Sequence, residues 1–84
     1  MRFRAIVSDR LDSREITFLI GCNIAKIRKK RGMTQKQLAE TINISKNYLN
    51  AVERGAKSPP IKLMAGIAKA LDISIQLLYK DDID

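Results

Sequence analysis

The sequence has no histidine and a single cysteine, Cys22. One cysteine cannot close an internal disulfide and suits a reducing compartment, and without histidine or a second thiol the usual zinc sites are excluded. Cys22 is therefore expected to be a small buried apolar side chain. No apolar run approaches the ~20 residues needed to span a bilayer. The opening stretch, MRFRAIVSDRL, interleaves charges with its few apolar residues and lacks the continuous apolar core of a signal peptide. A cytoplasmic location with no membrane partner is the expectation. There is no glycine-rich phosphate loop, and carboxylates are scarce in the central region, so nothing resembles a nucleophile–base pair or a metal centre. No catalytic residue, metal or cofactor is expected. At 84 residues the chain fits one domain with one modest core, too small for a catalytic unit plus a regulatory one.

Positive charge is what the chain has in excess, with a formal net charge of +7. Its distribution says more than its total. Residues 1–18 carry four basic and three acidic groups, residues 19–66 carry ten and two, and residues 67–84 carry two and four. So concentrated an excess points to a polyanionic partner more than to solubility alone.

The excess surrounds the stretch from Thr34 to Gly55, TQKQLAETINISKNYLNAVERG. Thr34 can cap a first short helix, and Leu38, Ala39 and Ile42 then share one face at helical period. Asn43 tolerates the left-handed region and can reverse the chain in one step. Ser45 restarts it as a second cap. Leu49 and Val52 fall three apart on the inner face, while Lys46, Asn47 and Asn50 point outward. Ala39 sits where the two helices cross, and Ile44 closes the small core between them. This spacing fits a DNA-binding helix-turn-helix, in which the second helix lies in the major groove with its N-terminal residues at base edges, and a generic αα-hairpin could show similar apolar spacing; the flanking sequence favours the first.

Before this unit, Phe3, Ala5 and Val7 alternate with Arg2, Arg4 and Ile6. The pattern fits an edge strand that pairs with a second subunit, a flexible basic arm along DNA, or a terminus of little function. A helix is expected from Asp12 or Ser13 to about Arg31, with Ile16, Ile20, Ile24 and Ile27 on its inner face. Gly21 leaves room for another helix to approach, and Gly32 ends the helix. Lys26, Lys29, Lys30 and Arg31 suit the negative helix end and add positive potential. Arg28 borders the apolar face, and Glu53 lies similarly on the second helix of the motif, so the two can form a bidentate pair. After Gly55, Lys57 and Ser58 are free to meet phosphate. Pro60 suits a helix start, Met64, Ile67, Ala68 and Leu71 form the inner face of that helix, and Ser74 caps a last helix with Ile75 and Leu78 inward.

With these pieces the stretch IGCNIAKIRKKRGMTQKQLAETINISKNYLNAVERGAKSPPIKLMAGIAKALDISIQLLY resembles a Cro/C1-type helix-turn-helix domain, the xenobiotic-response-element family of bacterial and phage repressors. The marks are the IRKKRGMTQ entry, the Leu38–Ala39 pair, the YLNAVERG exit, Pro59 and the ALDIS approach to the last helix. The resemblance implies an all-α, compact five-helix domain, here placed over residues 19–80; residues 1–18, an extension that could be a strand or arm, lie outside the resemblance, and residues 81–84 read as an acidic tail. It implies that Lys46, Asn47 and Asn50 face bases, that Gln35 bonds phosphate and can brace a base-reading neighbour, and that Arg28 and Glu53 form the internal ion pair. Lys57 and Ser58 match the phosphate-contacting loop, and Lys36, Tyr48 and Arg54 are further backbone candidates. Asn43 and Asp72 stand where the family often has glycine.

Chemically, Lys46 can donate to guanine O6 or N7, and Asn47 and Asn50 can each make the paired contact with adenine N6 and N7. Double-stranded DNA is thus the expected partner. A homodimer reading half-sites about 34 Å apart is expected on physical grounds, with Ile75, Leu77, Leu78 and Tyr79 as its interface. No effector domain is apparent, so no small-molecule effector is expected. The rival is a protein-interaction module on the same fold, such as an antitoxin or anti-repressor partner. A protein-docking version should expose apolar anchors where this chain has Lys46, Asn47 and Asn50. Tyr48 fits either reading.

Overall fold

The computed structural model describes residues 11–81. Residues 1–10, which carry most of the expected strand or arm, and the last three residues of the acidic tail lie outside the described part. Asp12 opens the first helix, α1 (Ser13–Lys30), through a reciprocal cap: its Oδ1 accepts from the Glu15 N–H at 2.8 Å, and Glu15 Oε1 accepts from the Asp12 N–H at 2.9 Å. Thr34 and Gln37 repeat the device at α2 (Gln35–Thr41), and the Ser45 hydroxyl accepts from the Tyr48 N–H at 3.0 Å to start α3 (Lys46–Glu53). Helix α4 (Ile61–Leu71) has no side-chain cap, and Pro60 stands just before its first turn rather than within it.

Among the described residues, the four α-helices stop in the same way. Gly32, Asn43, Gly55 and Asp72 take positive φ of 72°, 61°, 79° and 58°, and the next residue's N–H turns back onto a carbonyl of the helix it has left. Met33, Ile44, Ala56 and Ile73 donate in this way to Arg28, Ala39, Ala51 and Ala68 at 2.9–3.0 Å, closing carbonyls that would otherwise lack a partner. Two of the stops use Asn and Asp, whose short polar side chains tolerate the left-handed region. The departures from glycine at Asn43 and Asp72 are thus absorbed by the backbone.

The core is one cluster. Ile20, Ile24 and Ile27 of α1 meet Leu38 and Ala39 of α2, Leu49 and Val52 of α3, and Met64, Ile67 and Leu71 of α4. Each helix buries the face that its apolar spacing anticipates, because a 3.6-residue period lines those positions up. Ala39 is buried in this cluster, and its carbonyl accepts the Ile44 N–H that closes the turn. Ala39→Leu should overpack the crossing by ~1–3 kcal/mol, read as a lower urea midpoint. An unchanged midpoint would mean that the crossing has room to spare.

The expected fifth helix is instead a five-residue 3₁₀ turn, Ile75–Tyr79, with no side-chain bond from Ser74. Its backbone closes by i to i+3 bonds, Leu77 N–H to the Ser74 carbonyl at 3.1 Å and Lys80 N–H to the Leu77 carbonyl at 3.3 Å. The buried Asn23 side chain on α1 donates its amide to the carbonyl oxygens of Leu78 at 2.8 Å and Lys80 at 2.6 Å and ties the turn to α1. Leu78 is fully buried in the core. It is therefore removed from the expected dimer interface, which keeps Ile75 and Leu77, half-buried, and Tyr79, exposed but with its hydroxyl 3.8 Å from Met64 Sδ. Cys22 is half-buried rather than buried, on the outer side of α1. Among the described residues, no helix is long and apolar enough to cross a membrane.

Candidate nucleic-acid interface

The angle at which α3 is presented is set by α1. At Gly21 an added Cβ would lie on the Val52 carbonyl oxygen and 2.8 Å from that of Glu53, so the end of α3 rests directly on the α1 backbone. Seven residues along α1, Arg28 clasps the same end of α3. Its Nε donates to Glu53 Oε2 at 2.7 Å and its NH2 to Oε1 at 3.0 Å, while NH1 donates to the Met33 carbonyl at 2.7 Å. Both side chains are over nine-tenths buried, 8% and 5% exposed. Water therefore competes weakly for them, and the planar guanidinium fork dictates the orientation of the carboxylate.

Gln35, the first residue of α2, joins the pair. Its Nε2 donates to Glu53 Oε1 at 2.8 Å and to Asn50 Oδ1 at 3.2 Å. Four side chains from three helices thus form one line: Arg28, Glu53, Gln35, Asn50. Asn50 is half-buried at its end, whereas Lys46 and Asn47 stand exposed on the outer face of α3. The Asn47 side chain makes no hydrogen bond among the described residues.

Around this face, Lys36 on α2, Arg54 at the C-cap of α3, and Lys57 and Ser58 in the following loop are all exposed. Pro59, by contrast, is buried and pins that loop to the body. Tyr48, the other backbone-contact candidate on α3, differs in being partly covered. It is half-buried against the core and, with Ile42, Ile44, Pro60 and Leu63, lines an open apolar groove of about 850 Å³ between the motif and α4. Arg31 also has a local task, its NH2 donating to the Asp72 carbonyl at 3.3 Å at the end of α4.

Two residues with structural roles, one under the C-terminal turn and one at the end of the motif, were not identified from the sequence. Asn23 had a visible signal, a polar residue between Ile20 and Ile24 on a buried stripe. Phe18 had none: it is 57% exposed, yet its backbone and ring lie against Gly55, where an added Cβ would come within 2.9 Å of them.

The sequence matches the family profile described as helix-turn-helix over residues 24–78. It is 34% identical over 65 residues to an HTH-type transcriptional regulator, y4dJ, of Sinorhizobium fredii, covering 76% of this chain and 84% of that protein. It is 36% identical over 63 residues to the immunity repressor protein of Bacillus phage phi105, covering 75% of this chain but 44% of the repressor. Among solved structures, SinR, the master regulator for biofilm formation, solved in complex with DNA, aligns with a TM-score of 0.67 at 33% identity, over 70% of this chain and 95% of that one.

Proposed function

We propose, since this chain belongs to the helix-turn-helix family of transcriptional regulators, that it binds double-stranded DNA sequence-specifically through α3 in the major groove. In this reading it is a cytoplasmic repressor or autoregulator with no catalytic activity. It acts as a homodimer on a palindromic operator, with half-sites about 34 Å apart. Ile75, Leu77 and Tyr79 are the surfaces that meet across the two-fold axis.

The observation that carries this reading is the chemistry of the outer face of α3. Lys46 and Asn47 are exposed beside Asn50, and no large apolar residue is exposed there as an anchor for a protein partner. Exposed Lys36, Arg54, Lys57 and Ser58 flank it with donors suited to phosphate. The base-reading and backbone-gripping roles differ in how they respond to sequence and to salt.

Competition titrations with a selected operator and a scrambled duplex, at two salt concentrations, separate the roles. Asn47→Ala should cost ~1–3 kcal/mol on the operator and barely change scrambled binding. Lys57→Ala should weaken both duplexes alike and lower the slope of log affinity against log salt by about one unit. Equal loss on both duplexes from Asn47→Ala would move the reading towards the protein-interaction alternative.

A further inference from the structure

We infer that the outer face of α1 is a self-association surface, on which a second copy of this chain lays its own α1 in the antiparallel direction. The inference is independent of the reading of α3 and of the interface proposed at Ile75, Leu77 and Tyr79. It starts from a helix that is apolar on two opposite sides.

Ile20, Ile24 and Ile27 fill the core side of α1. Phe18 and Cys22 each stand two residues from Ile20, about 200° round the helix, and so face away from that core. Phe18 is 57% exposed, Leu11, Leu19 and Cys22 are half-buried, and together they line an open groove of about 540 Å³. A helix on the surface of a small domain ordinarily carries one apolar stripe and a polar opposite face. This one carries a second stripe.

The charges at the ends of that stripe select its occupant. Exposed Glu15 borders the N-terminal end; its Oε1 serves the Asp12 cap, and a carboxylate has a second oxygen to offer. Exposed Lys26 and Lys29 border the C-terminal end. Arg14, also at the acidic end, is offset by Asp12 at 4.0 Å. A face that is acidic at one end, basic at the other and apolar between is complementary to itself once one copy is turned end for end, and a two-fold axis does that. With the axis between Phe18 and Cys22, Phe18 of each copy lies opposite Cys22 of the other, a favourable ring–sulfur contact. Glu15 then comes within reach of Lys26 and Lys29 of the partner subunit. The two helix dipoles also oppose each other, whereas a parallel arrangement would set like charges together at both ends. At 18 residues α1 is about 27 Å long, so the contact is a small one that adds to a larger interface. Beside the C-terminal surface it joins two dimers into a tetramer.

The test is sedimentation of the full chain and its variants over a concentration series up to roughly 1 mM, the weak limit of specific association. Glu15→Lys makes both ends of the stripe positive, and Lys26→Glu with Lys29→Glu makes both negative. Each variant alone should have half the mass of the unaltered chain, through self-association at least roughly tenfold weaker. Mixed together they should recover the unaltered mass, because one is then positive at both ends and the other negative at both. A folding defect in one variant would not be cured by adding the other. Equal masses for the unaltered chain, both variants and their mixture overturn the inference. A rise in mass on removing residues 1–10 also overturns it, by assigning the stripe to the chain's own N-terminal segment. Leu77→Glu examines the other interface separately: if it changes nothing while Glu15→Lys halves the mass, the C-terminal surface fails and the α1 surface stands.

Discussion

Gly21→Ala should unfold the domain over a large part of its stability range, although alanine is the better helix former. The new methyl would gain up to ~1 kcal/mol of helix propensity in α1. Against this, it would occupy the place of the Val52 and Glu53 carbonyl oxygens. Those are backbone atoms at the end of a helix and cannot swing aside as a side chain does, so α3 as a whole has to move. Overpacking typically costs ~1–3 kcal/mol and more where nothing can yield, so a net loss of ~3 kcal/mol is expected, or a fall in Tm of roughly 12–24 °C for a domain of this size. Gly66→Ala provides the contrast. An added Cβ at this position inside α4 meets nothing within 4 Å, so the same change should stabilise by ~1 kcal/mol. Thermal melts of the two variants should shift in opposite directions, and a harmless Gly21→Ala would show that α3 does not rest on α1 as closely as described.

Breaking the Arg28–Glu53 pair is the other change with a large expected effect. Glu53→Leu strands a guanidinium, and Arg28→Met strands a carboxylate, each more than nine-tenths buried in the folded protein. Either single change should destabilise by ~3–5 kcal/mol, because the remaining ion has lost its water and its partner. The double variant should be more stable than either single one, since two apolar side chains of similar volume leave no charge to desolvate. Urea denaturation of the four proteins closes a double-mutant cycle. Additive losses would show that the two residues act separately.

Much of this architecture could be read along the chain, and the reason is local. The caps at Thr34 and Ser45 act within three residues of themselves, and the stops at Asn43 and Gly55 depend on the conformational range of one residue. The buried faces of α1 to α4 follow from a helical period that any apolar pattern displays. Family membership follows too, since the matched residues 24–78 are mostly those that form the caps, crossings and stops. Gly21 was legible as a place for close approach, although which backbone it would meet was not.

The sequence by itself therefore determined the class of fold, the turn between α2 and α3, and which residue types α3 presents outward. Tertiary structure decided how those outward residues are held. The Asn50 amide oxygen accepts from Gln35, fifteen residues away. The Ile75–Tyr79 turn is tied to α1 by Asn23, whose partners lie 55 and 57 residues on. Tyr48 has the outward spacing of a groove-facing residue, yet packs towards α4 because an apolar groove beside it accepts the ring. In each case the deciding group is a hydrogen-bond partner or an apolar wall brought up by another helix. Periodicity records which side of its own helix a residue occupies, and carries no information about which neighbour has already satisfied it.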